Sequence, residues 1–159
     1  MDMSRLASAV RGAFGAAALS AGVLIALPAL AEMQTKTSSK SVPDTVDALE
    51  TAVKAAGASI IARVDHSGAA EGAGMDMVES QLLIFGNPNM GTPPMQADPR
   101  VGLRLPLRVL TYADPDGTTR VVWEDTASLF EGLDVPDDAA YRAKIDGALE
   151  KLTDAAVSP

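Results

Sequence analysis

Several kinds of side chain are scarce or absent in this sequence, and each absence excludes a class of chemistry. No cysteine occurs among the 159 residues, so disulfides, thiol catalysis and cysteine-bound metals are excluded. His66 is the only histidine, and zinc enzymes commonly need more imidazole ligands than one. No G-x-S-x-G sequence presents a serine nucleophile. Asp65 points to the opposite face of a strand from its neighbour His66 and cannot orient the imidazole. A hydrolase is therefore disfavoured. Whether the protein is an enzyme of another kind stays open, and the sequence favours a protein that is not an enzyme.

Basic side chains are also fewer than acidic ones. The chain has 13 basic and 21 acidic side chains, a net charge of −8. Such a surface repels phosphate backbones and anionic lipids. We therefore expect no nucleic-acid partner and no binding to a membrane surface.

The first segment of the chain has the pattern of an export signal. Two arginines precede an apolar run at 13–27, which ends at the small-residue site 29–31, Ala-Leu-Ala. The run is short for a membrane span, which needs roughly 20 apolar residues. The pattern predicts a secretory signal peptide at 1–31 and a single domain at 32–159, periplasmic or secreted. An uncleaved membrane anchor remains the alternative.

Hydrophobic spacing predicts the secondary structure of this domain. Ser41 and Pro43 are typical of a helix start, and Gly57 is typical of a helix end. The Asp-Gly pair at 116–117 between two β-rich runs favours a hairpin. Together the elements predict an α+β fold with two layers, in which helices pack on a mostly antiparallel sheet. The expected elements are an edge strand or linker at 32–41, a helix at 42–56, strands at 58–65 and 80–86, a loose helical turn in 66–74, hairpin strands at 105–113 and 118–125, and a last helix from about Asp137.

The stretch "LLIFGNPNMGTPPM" at 82–95 has glycines spaced as in a phosphate-binding loop. That loop needs a lysine and then a serine or threonine after the second glycine, where this chain has Thr92 and Pro93. Pro88 also removes a backbone N–H that would hold the phosphate. The stretch is not a nucleotide-binding loop.

A rigid turn is the other interpretation of this stretch. Gly86 and Gly91 suit positions with positive φ, and Thr92 is a good cap for a short helix over 93–97. A rigid loop serves either packing or binding, and composition does not distinguish the two.

Several motifs together resemble one known family. They are Asp65-His66, "LLIFGNP" at 82–88, "GTP" at 91–93, "MQADP" at 95–99 and "LPLRVL" at 105–110. Over roughly residues 35 to 130 the chain is similar to the domain of unknown function 302 family. The resemblance implies a compact α+β domain and a homodimer, and it leaves the activity open. Asn89 stands where the family often has lysine, which makes an anionic ligand harder to hold there.

Methionine is unusually frequent in the predicted loops around the lone histidine. Thioether sulfur and imidazole are suitable ligands for Cu(I), so His66 with Met75, Met77, Met90 and Met95 forms a weak candidate metal site. The alternative is that these methionines fill gaps in the packing. No cofactor is predicted beyond this copper alternative.

The sequence thus predicts an exported binding or accessory domain that recognises a small molecule or a protein partner. The candidate site combines His66 with the loop at 86–95. Its candidate ligand-binding residues are His66, Asn87, Asn89, Gly91 and Thr92. A periplasmic copper-binding protein and an uncharacterised enzyme are the alternatives.

Overall fold

A computed structural model describes residues 33–159 as five strands and six helical segments. The predicted signal peptide and its cleavage site lie outside the described residues. None of the helices in 33–159 is long and apolar enough to cross a membrane. The strands are β1 Met33–Ser38, β2 Ser59–Asp65, β3 Ser80–Gly86, β4 Leu107–Ala113 and β5 Thr119–Glu124. The helices are α1 Val42–Ala55, α2 His66–Gly72, α3 Pro88–Ala97, a 3-10 helix at Pro99–Leu103, α4 Thr126–Leu129 and α5 Ala140–Val157.

The strands form one antiparallel sheet in the order β1-β5-β4-β3-β2. Helices α1 and α5 pack against each other and cover one face of it. The predicted two-layer α+β class is therefore confirmed, and the segment at 32–41 provides an edge strand. The β4–β5 hairpin turns at Gly117, whose φ of 84° is one that glycine adopts without strain.

Local signals placed α1 correctly. The Ser41 hydroxyl accepts a hydrogen bond from the Asp44 backbone N–H, and Pro43 lies in the first turn. Gly57 follows the helix with a left-handed φ of 73°. The last helix, predicted from about Asp137, begins three residues later at Ala140. The residue before it, Ala139, makes no side-chain capping bond, so the local sequence carries no strong start signal there.

The core lies between the covered face of the sheet and the two long helices. Alternate residues of each inner strand enter it, because successive strand side chains point to opposite faces. Full burial of one such aliphatic or aromatic side chain contributes about 1.5–3 kcal/mol to folding. The buried core includes Leu49, Leu83, Phe85, Val109, Val121, Trp123, Leu129, Phe130, Ile145 and Leu149.

Candidate functional site

A pocket of about 420 Å³ opens at one end of the sheet. The antiparallel register brings its walls together, because Ser59 at the start of β2 pairs with Gly86 at the end of β3. Leu107 at the start of β4 pairs with Phe85 of β3 at the same end. Helix α3 and the 3-10 helix close the sides. The lining residues are Ser59, Ile61, Gly86, Asn87, Pro88, Met90, Gly91, Met95, Gly102, Leu105, Pro106, Leu107 and Ile145.

Asn87 fixes the start of α3 at the wall of this pocket. Its side-chain oxygen accepts the Asn89 backbone N–H at 2.9 Å, and its amide donates to the Gly57 carbonyl at 3.3 Å. The backbone carbonyl of Asn87 accepts the Gly91 N–H at 3.0 Å. Pro88 occupies the first turn, where a missing N–H costs nothing. Asn87 thus joins α3 to the turn after α1, and its polar atoms are largely engaged in doing so.

Two prolines lie inside α3 and weaken its internal hydrogen bonding. Pro93 and Pro94 have no N–H, so the carbonyls of Asn89 and Met90 receive no helical hydrogen bond from them. The helix closes with the Asp98 N–H donating to the Pro94 carbonyl at 3.0 Å. This segment therefore holds its shape through its cap, its prolines and its packing rather than through a full helical ladder.

Three glycines create room in the pocket. A Cβ on Gly86 would lie 3.5 Å from Pro106 Cβ, and one on Gly91 would lie 3.5 Å from Leu105 Cδ1. A Cβ on Gly102 would lie 3.9 Å from the sulfur of Met95. Ordinary side chains at these positions would fill the space that the pocket now occupies.

A β-bulge brings an unexpected side chain to the pocket. The register of β2 shifts between Ile60 and Ala62, which leaves Ile61 unpaired and alters its direction. Ile61 is 56% exposed and lies beside Gly86, within 3.7 Å of the position that a Cβ there would take. Ile61 thus presents a large apolar side chain at the pocket mouth.

The chemistry of the lining is apolar and uncharged. None of the thirteen lining residues is Asp, Glu, Lys, Arg or His. Met90 and Met95 supply flexible thioethers that adapt to irregular shapes. Ser59 is the lining residue with a hydroxyl. The pocket is therefore suited to an uncharged and mostly apolar occupant, with Ser59 available for one hydrogen bond.

Asp98 lies at the junction between α3 and the 3-10 helix, outside the pocket lining. It is 4% exposed and accepts three hydrogen bonds from the Arg100 guanidinium, at 3.0, 3.1 and 2.7 Å. It also accepts the backbone N–H groups of Arg100 and Asp134, both at 2.9 Å. The Arg100 guanidinium and the Asp134 N–H hold the pKa of Asp98 well below its ordinary value of 3.8.

The structure brings part of the predicted 86–95 site into the pocket. Asn87 and Gly91 line it, whereas Asn89 and Thr92 are exposed on α3 outside the lining. The expected rigid turn is wrong, because α3 begins at Pro88 and is capped by Asn87 rather than by Thr92. Neither Gly86 nor Gly91 has a positive φ. The role of these two glycines is to leave space, which is a tertiary property.

His66 lies at the other end of β2 from this pocket. It is the first residue of α2, directly after Asp65, whereas the pocket contacts the strand at Ser59 and Ile61. Six strand residues separate the two ends by roughly 20 Å. Asp65 caps α2 by accepting the Gly68 N–H at 2.8 Å, which with the Ser67 hydroxyl lowers the pKa of Asp65. The structure therefore does not join His66 to the 86–95 segment.

The four methionines of the candidate copper site also fall into two groups, one in the pocket and one after α2. Met90 and Met95 line the pocket, while Met75 and Met77 are exposed in the segment after α2. A single copper site containing His66 and all four methionines is incompatible with this layout, because thioether and imidazole ligands must lie within bonding distance of one ion. Within 33–159 there is no cluster of three or more His, Cys, Asp or Glu residues suited to a metal.

Sequence reasoning missed several wall residues. Leu105 and Leu107 belong to the quoted "LPLRVL" motif, and Ile145 to the predicted face of the last helix, but no local pattern indicated that they meet. The bulge at Ile61 has no sequence signal, because β-rich residues on both sides suggest a regular strand.

This chain resembles curated proteins in sequence, matches one family profile, and resembles a solved structure in fold. A "Fluoride-specific ion channel FluC 1" of Brucella suis biovar 1 (strain 1330) is 35% identical over 109 residues, which are 67% of this chain and 43% of that protein. A "Fluoride-specific ion channel FluC 2" of Brucella melitensis biotype 1 matches equally well over 40% of its length. The chain thus spans about two fifths of the curated relatives that it matches.

A solved structure supports the fold. The crystal structure of an uncharacterized conserved protein DUF302 from Bacillus stearothermophilus superposes with a TM-score of 0.71 at 21% identity. The match covers 78% of this chain and 97% of that one. The sequence profile for the domain of unknown function DUF302 matches residues 34–155, nearly all of the described fold. The chain belongs to the DUF302 family.

Proposed function

We propose that this chain is an exported binding protein that holds a small, uncharged and mostly apolar molecule in the pocket between α3 and the sheet. One observation carries the proposal, the 420 Å³ cavity with no ionisable side chain in its lining. Small-molecule sites are typically concave, mostly apolar and about 300–1,000 Å³ in volume. The expectation of export rests on the sequence pattern of residues 1–31.

The lining favours an uncharged ligand for an energetic reason. A charged group in an apolar pocket loses hydration, and no side chain of opposite charge lines this one to compensate. An apolar group gains free energy in proportion to the apolar area that it buries there. Met90 and Met95 adapt to different shapes, so we expect tolerance among related apolar ligands.

The absence of ionisable side chains from the pocket lining also favours binding over catalysis. General acid–base catalysis needs a titratable group within hydrogen-bond reach of the reacting atoms, and the lining contains none. Ser59 has no histidine or carboxylate beside it in the lining to activate its hydroxyl. More than half the length of the curated relatives, which are named as fluoride-specific ion channels, lies outside the region that this chain matches.

An uncharged fluorescent probe tests the proposal directly. N-phenyl-1-naphthylamine becomes brighter in apolar sites, and we expect its fluorescence to increase saturably with the wild-type protein. Gly91→Leu places an isobutyl group in the pocket, since the added Cβ makes ordinary contact at 3.5 Å with Leu105. We expect at least about tenfold weaker binding, equivalent to about 1.4 kcal/mol.

Gly147→Leu is the matched control for this experiment. Gly147 also lies within a helix, α5, where an added Cβ meets nothing within 4 Å, and it is not in the lining. We expect Gly147→Leu to bind the probe as the wild type does, and circular dichroism to show both variants folded. Equal binding by wild type and folded Gly91→Leu would refute the proposed site.

A further inference from the structure

Met95 holds a partly exposed sulfur atom in the lining of the pocket. Its side chain leans along α3 towards Gly91, four residues earlier, as long side chains in helices do. A Cβ on Gly91 would lie 3.9 Å from Met95 Cε, and one on Gly102 would lie 3.9 Å from Met95 Sδ. The thioether therefore lies between α3 and the 3-10 helix, beside two residues that have no side chain to cover it. Met95 is 36% exposed.

The other methionines of the described part of the chain lack this combination of exposure and position. Met33, Met75 and Met77 are exposed but lie outside the pocket lining. Met90 lines the pocket but is half-buried and packs against the core. Cysteine is absent from the sequence, so methionine supplies all of its sulfur. An oxidant arriving from solvent therefore reaches a pocket-lining sulfur most readily at Met95.

We propose that Met95 is an oxidation site, at which a peroxide converts the thioether to a sulfoxide and so lowers the affinity of the pocket for its apolar ligand. A lone pair of the sulfur attacks one oxygen of hydrogen peroxide, and an S–O bond forms as the O–O bond breaks. The sulfur loses two electrons. The other oxygen takes up those electrons and the proton of the transferred oxygen, and it leaves as water. The effect on affinity rests on the proposed function, since it requires the pocket to bind an apolar molecule.

The sulfoxide weakens binding because it adds a polar oxygen to an apolar lining. In the free protein, water hydrates this oxygen, since Met95 is partly exposed. A bound apolar ligand displaces the water and offers no hydrogen-bond donor in return, which costs free energy. The polar side chains of the lining are Ser59 and Asn87, and the Asn87 amide already donates to the Gly57 carbonyl. Oxidation thus acts on ligand affinity more than on the fold.

Oxidation at this site is reversible, because methionine sulfoxide reductases return the sulfoxide to the thioether. A ligand that occupies the pocket also covers the Met95 sulfur. We therefore expect bound ligand to slow the oxidation of Met95 and to leave the oxidation of Met77, outside the lining, unchanged.

Peroxide treatment of the full chain, followed by catalase and then by titration with N-phenyl-1-naphthylamine, tests the site. Peptide mass spectrometry reports which methionines have gained an oxygen atom. We expect the oxidised wild type to bind the probe at least about tenfold more weakly, equivalent to about 1.4 kcal/mol. Treatment with methionine sulfoxide reductase should restore binding.

Met95→Leu keeps an apolar side chain of similar size and removes the sulfur, so peroxide should not change its affinity for the probe. Met77→Leu is the matched control, because Met77 is 51% exposed and lies outside the lining. It should lose affinity after peroxide as the wild type does. Met95→Gln introduces a polar side chain without any oxidant and should weaken binding, whereas Met77→Gln should not. Circular dichroism checks that each variant is folded.

Three results overturn the oxidation site. They are a Met95 that stays reduced while Met77 is oxidised, an unchanged probe affinity after Met95 is oxidised, and a Met95→Leu variant that still loses affinity in peroxide. If the untreated wild type does not bind the probe at all, the proposed binding function fails and the effect of oxidation fails with it. The untreated titration thus distinguishes the failure of the proposed function from the failure of the oxidation site alone.

Discussion

Single residues show where this fold is not optimised for stability. Thr111 is fully buried in the sheet, and its hydroxyl has no hydrogen-bond partner within the described part of the chain. Burying an unpaired hydroxyl costs about 1–3 kcal/mol. Such a cost at the centre of β4 is a feature that a substitution can remove.

We predict that Thr111→Val raises the free energy of unfolding by about 1 kcal/mol, because valine keeps the shape and removes the unpaired hydroxyl. Urea denaturation followed by tryptophan fluorescence measures this change. Thr126→Val is the control, since the Thr126 hydroxyl donates to Asp146 at 2.7 Å, and that variant should be destabilised. If the Thr111→Val protein is less stable than the wild type, the Thr111 hydroxyl is not the unpaired and destabilising group described above.

At the scale of elements, α3 depends on neighbours more than on its own sequence. Its prolines remove helical hydrogen bonds, and its ends are fixed by Asn87 and by the corner at Asp98. The Asp98 carboxylate connects this corner to Asp134 and Arg100. The shape of the pocket therefore depends on an ion pair outside its lining.

We predict that Asp98→Asn lowers the urea midpoint at pH 7 and that the gap from the wild type narrows at acid pH. The folded pKa of Asp98 lies below its ordinary value of 3.8. The stabilisation by its carboxylate is therefore present above about pH 4 and is lost as the pH falls further. Urea titrations at pH 7, 4 and 3 measure this gap.

Asp76→Asn is the control for the titration, because it removes an exposed carboxylate from the segment after α2. Its urea midpoint should follow the wild type at each pH. A constant gap between Asp98→Asn and the wild type from pH 7 to pH 3 would mean that Asp98 acts by shape and not by charge.

At the scale of the whole molecule, the sequence pattern of residues 1–31 predicts export. We predict that the protein purified from its native compartment begins at Glu32, because the small-residue site 29–31 follows the apolar run at a suitable position. Intact-mass analysis of the soluble fraction measures this. Recovery of a chain beginning at Met1 in the membrane fraction would favour the anchor alternative.

Elements with strong local sequence signals could be predicted without the structure. The structure has the predicted Ser41 cap, the Asp116-Gly117 turn and the strand at 80–86, and it has the strand predicted at 118–125 at Thr119–Glu124. The two-layer α+β class follows from their order, because amphipathic helices and half-buried strands must cover each other.

The position of the pocket follows from tertiary packing and not from local sequence. The pocket walls come from β2, β3, α3 and α5, and the sequence does not state how far apart these lie. His66 and Asn87 both look functional in the sequence, yet the length of β2 separates the pocket from His66. Ile61 lies unpaired at the β2 bulge and lines the pocket, and Gly91 leaves space in the pocket because it has no side chain. Distances across the fold are set by packing and strand register, which local patterns do not encode.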